Sequence, residues 1–167
     1  MIDTGSKLKV TTPSDREIVL MREFDAPRAL VFEAITDPKA VPNWWGPRRF
    51  TTIVDQMDPR AGGAWRYICR DETGEYAWHG TYREVSPPSR LVYTFEFEGA
   101  PGYVSLETIS LEEHEGKTIS TNRVLFDTRE ARDAMLATGM TTGAAETLDR
   151  LAELLERLVD EGAGDSR

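Results

Sequence analysis

The sequence is poor in the residue types that build metal and redox sites. Its 167 residues include one cysteine, Cys69, and two histidines, His79 and His114. A single cysteine excludes an internal disulfide, and these three residues have no spacing typical of a metal site. Nucleophile motifs, phosphate-binding loops and dinucleotide fingerprints are also absent. We therefore predict no metal and no cofactor, and recognised motifs indicate no catalytic residue.

Basic residues are scarce relative to acidic ones. The chain has 20 Lys and Arg against 29 Asp and Glu, a net charge of -9. This balance argues against a nucleic-acid partner, which would need a basic face, and against binding to an anionic membrane surface. No apolar run is long enough for a membrane span, and residues 1–14 lack the apolar segment of a secretory signal. We expect a cytoplasmic protein.

The sequence instead contains one continuous series of short elements. Residues 1–13 have no periodicity and are predicted to form a flexible arm, residues 14–161 a single domain, and residues 162–167 a disordered tail. Asp25 and Asp37 are expected to cap two short helices. A long helix is expected over residues 129–159, with a kink, a break or a close backbone approach near its internal glycines, Gly139 and Gly143.

Seven strands are predicted, one before the short helices and six after them. Their expected ranges are 16–24, 50–57, 63–70, 76–85, 90–97, 103–111 and 118–126. The short connections between them predict antiparallel pairing. The fold class is therefore α+β, with a seven-stranded curved antiparallel sheet around the long C-terminal helix.

Aromatic residues are concentrated in the middle strands. Pairing residues 85 and 90 across the 86–89 turn places Tyr82 opposite Tyr93 and Trp78 opposite Phe97. A four-residue connection between the strands predicted at 63–70 and 76–85 then places Trp65 opposite Tyr82. One face of the sheet would carry Trp65, Tyr67, Trp78, Tyr82, Tyr93, Phe95 and Phe97. A three-residue connection would instead shift the register by one residue and turn His79 inward.

This aromatic face has two interpretations. It could be ordinary core packing, which is the commoner use of buried rings. Alternatively, it could line a cavity for a hydrophobic small molecule. In that second case the predicted ligand-binding residues are Trp65, Tyr67, Trp78, Tyr82, Tyr93 and Phe95, with Met135 and Met140 on the helix as an adaptable lid.

Several motifs, taken in order, resemble one protein family. Arg22-Glu23-Phe24-Asp25-Ala26-Pro27, Asp37-Pro38, Trp44-Trp45-Gly46-Pro47 and Gly80-x-Tyr82-x-Glu84-Val85 are similar to the activator of 90-kDa heat shock protein ATPase homologue family, within the START-like (SRPBCC) superfamily. The similarity extends over about residues 16–158. It implies the helix-grip fold, a curved sheet gripping a C-terminal helix over a hydrophobic cavity. Many relatives have Gly-Trp where this chain has Gly139-Met140.

The positions of Glu107 and Arg123 depend on one loop. A turn that includes Gly116 and is centred one residue before it would place these two residues opposite each other. If Glu98 lies opposite Tyr103, Glu107 and Arg123 form an ion pair on the outer face. If that loop closes one residue tighter, they face the cavity, where a desolvated acid is a candidate general acid or base.

These observations give three functional hypotheses. The leading one is a START-like domain that binds a hydrophobic small molecule. The second is an enzyme of the cyclase or hydratase type, which needs an ionisable cavity residue. The third, implied by the resemblance, is a chaperone-interaction module with an exposed apolar patch near Trp44 and Trp45. The sequence leaves a homodimer open.

Overall fold

A computed structural model of the chain describes residue 2 and residues 7–165. One antiparallel sheet has the strand order β1-β2-β8-β7-β6-β5-β4-β3, with the helices packed on its inner face. In chain order the elements are β1 (Lys9–Thr11), β2 (Glu17–Phe24), α1 (Arg28–Thr36), a 3-10 helix (Val41–Asn43), β3 (Thr51–Met57), β4 (Ala64–Asp71), β5 (Gly74–Ser86), β6 (Arg90–Phe97), β7 (Val104–His114), β8 (Lys117–Leu125), α2 (Arg129–Ala137) and α3 (Met140–Asp165).

The sheet has one strand more than predicted, because part of the expected N-terminal arm is ordered. Strand β1 pairs with β2, with Val10 opposite Leu20. Val10 and Leu8 are buried, which explains why this segment docks on the domain. A three-residue strand offers a single alternation of apolar and polar positions, too little to register as a period. Residue 1 and residues 3–6 of the predicted arm lie outside the described part.

The helix ends differ from the expectation in three places. Pro27, not Asp25, occupies the N-cap position of α1, and Ala40, not Asp37, occupies that of the 3-10 helix. The predicted interruption at Gly139 is present, since α2 and α3 are separate helices and Gly139 has a φ of +79°. Helix α3 then continues to Asp165, beyond the expected start of a disordered tail at Gly162. Gly162 weakens this helix without ending it.

Pairing in the aromatic strands follows the predicted faces with changes in register. Trp78 lies opposite Phe97 and Tyr82 opposite Tyr93, as expected. Beyond Tyr82 the register shifts by one, so Val85 lies opposite Leu91 and not Arg90. Between β4 and β5 the turn has two residues, which places Trp65 opposite Gly80. Because this differs from the expected pairing by two positions, the rings keep their face.

Strand β7 has the tighter of the two registers considered for it. Glu107 lies opposite Tyr93 on one side and Val124 on the other. Arg123 lies opposite Thr108, so the expected pairing of Glu107 with Arg123 is wrong. The β7–β8 turn consists of Glu115 and Gly116, with φ of 53° and 79°, and is centred half a residue later than expected.

The inner face of the sheet carries two neighbouring clusters of buried side chains. The first, here called the aromatic cluster, is built on α1, β4–β6 and the later part of α3; it includes Phe24, Val31, Phe32, Trp44, Trp65, Tyr67, Tyr82, Leu91, Leu151, Leu154 and Leu155. The second, called the aliphatic cluster, contains Leu8, Val10, Ile18, Leu20, Val124, Phe126 and Ala145. Leu148 on α3 packs against both. None of the described helices is long and apolar enough to cross a membrane.

Candidate functional site

The candidate site is a small void inside the aromatic cluster. Its volume is about 50 Å3. Five of the predicted ligand-binding residues border it, namely Trp65, Tyr67, Tyr82, Tyr93 and Phe95. The remaining lining residues are Ile35, Trp44, Trp45, Leu91 and Ile109. The alternation of strands β4 and β6 therefore brings rings from separate parts of the chain around one space.

Trp65 is the central ring of the aromatic wall, which is formed by the five rings that border the void: Trp65, Tyr67, Tyr82, Tyr93 and Phe95. Its centroid lies 4.8 Å from Tyr67, 5.9 Å from Tyr93 and 5.8 Å from Phe95. Its indole N–H donates to the Thr94 carbonyl at 3.2 Å, across the intervening strand β5. This is feasible because Gly80 lies between them: a Cβ there would sit 1.8 Å from the Thr94 oxygen and 2.6 Å from the indole nitrogen. The absence of a side chain at Gly80 thus allows Trp65 to form this hydrogen bond and fixes its place in the wall.

Trp44 and Trp45 are turned towards the core. Trp44 is 7% exposed and donates from its indole nitrogen to the Ala34 carbonyl at 3.0 Å. Trp45 is half-buried, with its ring edge-to-face to Tyr67 at 5.0 Å and to Trp78 at 5.2 Å. Trp78 itself packs against Trp45 and does not border the void. The apolar patch expected at the two tryptophans is not formed.

Helix α3 fastens the loop that carries Trp45. The Arg150 guanidinium donates to the carbonyl of Gly46 at 2.6 Å, to that of Trp45 at 3.4 Å and to that of Asn43 at 3.3 Å. Arg48 forms an ion pair with Glu153 on the same helix. These contacts are polar and lie at the edge of the core, so the loop is held by groups that water can replace.

Met135 and Met140 do not cover the void. Both pack against the aliphatic cluster, and their expected role as a lid is wrong. The break at Gly139 explains their position, because α2 and the first turns of α3 lie over β2 and β8. The aromatic cluster is covered instead by the later turns of α3, from Leu148 onward.

The three tyrosines of the wall remain protonated far above neutral pH. Burial raises the pKa of Tyr82 to about 12. It raises the pKa of Tyr67 and that of Tyr93 well above the ordinary range, and the nearby Glu107 carboxylate adds to the effect at Tyr93. Their hydroxyls are therefore neutral hydrogen-bonding groups, not bases.

Glu107 is a carboxyl group on the inner face of the sheet. It is only 8% exposed. Its Oε1 accepts a hydrogen bond from the Tyr93 hydroxyl at 3.1 Å and another from the Asn122 amide nitrogen at 2.8 Å. Burial raises the pKa of Glu107, and these two hydrogen bonds offset part of that rise. Glu107 thus occupies the inward position that the sequence left open.

The other residues considered as chemical candidates lie elsewhere. Arg123 faces outward and pairs with Glu17. His79 is also outward, with Nδ1 2.9 Å from Glu98 and Nε2 3.4 Å from Glu96. Cys69 is buried, which raises the pKa of its thiol and disfavours the reactive thiolate. Within residues 7–165, no group of three or more His, Cys, Asp or Glu side chains could hold a metal ion.

Asn122 is a residue beside the void to which the sequence analysis assigned no role. Its position opposite Ile109 on β8 brings its amide to Glu107. Its Oδ1 is buried and has no hydrogen-bond partner in the described part of the chain. The available signal was a polar residue at the strand spacing of the apolar Val124 and Phe126, which follow it.

A wider groove lies on the surface beside α1. It has a volume of about 340 Å3 and is open to solvent. Its lining is mainly apolar and consists of Ala29, Phe32, Glu33, Thr36, Pro59, Val85, Pro87 and Pro88. The groove and the void are close neighbours, because Phe32 and Thr36 flank Ile35 on α1 and Val85 lies opposite Leu91 in the sheet.

The curved antiparallel sheet and the long C-terminal helix across its inner face define a helix-grip protein of the START-like type. The void itself is bordered by the sheet, α1 and the Trp44–Trp45 segment and not by α3, which differs from the cavity expected under the C-terminal helix. A family model described as Activator of Hsp90 ATPase homolog 1-like protein matches residues 25–156, and the chain belongs to this family. No curated protein matches the chain by sequence.

Solved structures give the same fold. A Rhodobacter sphaeroides protein is 26% identical with a TM-score of 0.85, over 90% of this chain and 99% of that one. A protein from Arthrobacter aurescens is 23% identical with a TM-score of 0.83, over 91% and 93% of the two chains. DynU16, from the dynemicin biosynthetic locus, is 25% identical with a TM-score of 0.64, over 86% of this chain and 48% of its own.

Proposed function

We propose that this domain binds a hydrophobic small molecule in the space between β4–β7, α1 and the Trp44–Trp45 segment. The observation that carries the proposal is the void bordered on one side by Trp65, Tyr67, Tyr82, Tyr93 and Phe95. Rings with polar tips around an apolar space are typical of ligand pockets. The family and its fold support a binding role of this kind.

Binding requires the void to widen. At about 50 Å3 it is smaller than the roughly 150 Å3 of an engineered protein cavity that accepts benzene. Trp45 is the lining group best suited to move, because it is half-buried and because water can replace the hydrogen bonds by which Arg150 holds its loop. Trp44 is less suited, since its indole is fixed to the Ala34 carbonyl.

The test combines native mass spectrometry with a fluorescent probe. Freshly purified protein should retain an apolar metabolite, seen as a discrete mass above that of the chain. N-phenyl-1-naphthylamine, a neutral probe, should gain fluorescence on titration with the protein. Ile109→Phe fills part of the void and should weaken probe binding about tenfold or more, whereas Met140→Ala, in the aliphatic cluster, should leave it unchanged. Equal behaviour of the two variants would contradict the proposed site.

The second hypothesis, an enzyme of the cyclase or hydratase type, is favoured by one observation. Glu107 supplies the ionisable inner-face residue that such chemistry needs, and its raised pKa suits a general acid. If so, wild-type protein incubated with its retained metabolite should release a compound of altered mass, and Glu107→Gln should keep the metabolite unchanged. Release of unchanged metabolite by both proteins would exclude this role for Glu107.

The chaperone-interaction hypothesis has less support. Its expected surface was an exposed patch at Trp44 and Trp45, and both indoles pack inward. The family description remains its only basis.

A further inference from the structure

We propose that the guest of this cavity is a neutral apolar molecule bearing a hydroxyl group, which hydrogen-bonds to the Asn122 amide and the Glu107 carboxyl. This inference rests on the proposed binding function and names the chemical class of its ligand.

The first step is the location of the polar pair. Tyr93 and Ile109 border the void. Glu107 lies opposite Tyr93 and two residues before Ile109 on the same face of β7. Asn122 lies opposite Ile109 on β8. The pair is therefore next to the void, at its boundary with the aliphatic cluster.

The second step is the hydrogen-bond inventory. Glu107 Oε1 accepts from both Tyr93 and Asn122, while Glu107 Oε2 has no partner among residues 7–165. Asn122 Oδ1 is buried and also without a partner there. A buried polar atom left unpaired destabilises the folded state. The buried amide oxygen of Asn122 thus remains to be satisfied, and the second carboxyl oxygen of Glu107 lies on the same side chain that Asn122 contacts.

The third step is the charge of the carboxyl. The groups in contact with it are a neutral amide and a phenol, and none is a cation. Burial without a cation favours the protonated form, as the direction of the Glu107 pKa shift indicates. Since Oε1 already accepts two hydrogen bonds, the proton belongs on Oε2. The pair then presents one donor, Oε2–H, beside one acceptor, Asn122 Oδ1.

A hydroxyl group matches this pair because it accepts and donates at the same time. It would accept from Glu107 and donate to Asn122. A hydroxyl also suits the Asn122 amide turned the other way. The unpaired atom of the amide would then be its nitrogen, which donates a hydrogen bond to the hydroxyl oxygen. A carboxylate guest would place a charge beside the Asn122 oxygen with no cation in contact, and its burial would be costly.

The test uses ring compounds of one size. The affinities of p-cresol and p-xylene, which differ only by a hydroxyl in place of a methyl, are measured for each protein by NMR titration. Asn122→Leu should lower the ratio of p-cresol to p-xylene affinity about tenfold, the equivalent of 1.4 kcal/mol. Glu107→Gln should change the ratio less than twofold, because the glutamine amide also donates. Glu107→Leu should lower it as Asn122→Leu does.

The alternative outcomes are separable. If neither compound binds the wild-type protein, the proposed function fails and this inference fails with it. If both bind but the ratio is the same in Asn122→Leu, the function stands and the hydroxyl anchor is wrong. Tighter binding of 4-methylbenzylammonium than of p-cresol, lost in Glu107→Gln, would show an ionised carboxylate and overturn the inference. Circular dichroism of each variant checks its folding, and Glu107→Leu tests the same anchor should Asn122→Leu fail to fold.

Discussion

The two clusters on the inner face of the sheet share one helix and one sheet but differ in chemistry. The aliphatic cluster is made of branched side chains from β1, β2 and β8, with Phe126 as its only ring among the buried members. The aromatic cluster has large rings, a void and, at its boundary, a buried carboxyl group. Branched side chains interdigitate without gaps more readily than rigid rings do.

This difference separates two tasks within one small domain. The aliphatic cluster can stabilise the fold, whereas the aromatic cluster, which has unfilled space and an unpaired polar atom at its boundary, can bind a ligand. Imperfect packing is costly, so a fold that keeps it in one place must be stabilised elsewhere. The same kind of substitution made in each cluster tests whether the two clusters differ in this way.

The largest expected effect comes from the same truncation made in each half. Ile18→Ala removes a fully buried side chain from the aliphatic cluster and should lower the free energy of unfolding by about 4 kcal/mol. Ile109→Ala removes a side chain that already borders a void and should cost about 2 kcal/mol. Urea denaturation measures both values. Equal losses would mean that the aromatic half is packed as tightly as the aliphatic half.

The next effect concerns the buried carboxyl. Because the pKa of Glu107 is raised in the folded state, its contribution to stability is full below its ordinary value of 4.5 and is lost as pH rises through the folded value. Glu107→Gln removes the ionisation, so its stability relative to wild type should increase as pH rises above 4.5. Thermal unfolding between pH 4 and pH 8 measures the difference. Glu112→Gln, at an exposed position of the same strand, is the control. If the stability difference between Glu107→Gln and wild type did not change with pH, Glu107 would not be a buried carboxyl group with a raised pKa.

The sequence was sufficient to predict which face of the sheet carries the aromatic residues. The aromatic face depends on the parity of the pairing, and an error of two positions between Trp65 and Tyr82 leaves parity unchanged. The position of Glu107 depended on a one-residue difference in the loop before β7, which reverses the face. That loop is held by a side chain outside it, the Glu96 carboxylate on β6, which accepts from the Gly102 backbone nitrogen at 2.9 Å, and turn residues alone did not reveal this contact.

The lid and the first strand were missed for related reasons. Met135 and Met140 follow the same helical spacing as the leucines that cover the aromatic cluster, so spacing alone cannot assign them to a half. The break at Gly139 was expected, but the direction in which the chain continues depends on tertiary packing. Strand β1 pairs through three residues, and its burial comes from the sheet edge it covers.

A smaller effect is expected from the contact that holds the Trp45 loop against α3. Arg150→Met keeps the apolar stem and removes the hydrogen bonds to the Gly46, Trp45 and Asn43 carbonyls. The loss should be about 1–2 kcal/mol, because water can reach the freed carbonyls. Hydrogen exchange of residues 43–49 should accelerate while exchange in the aliphatic strands stays constant. Arg157→Met, at an exposed position of α3, is the control; the same exchange rates in both variants would show that Arg150 does not fasten the loop.

The smallest effect should come from the outer face of the aromatic strands. Hydrogen bonds from Arg66 and His79 lower the pKa of Glu98 to about 2. This contribution to stability is therefore present above 4.5 and is lost as pH falls towards 2, a trend opposite to that of Glu107. Because these groups are largely in water, solvent and salt screen them, and Glu98→Gln should shift the midpoint of thermal unfolding by only about 1–2 °C at neutral pH and by less in high salt. A larger, salt-independent loss would mean that the outer ion pairs, and not the inner packing, hold the aromatic half together.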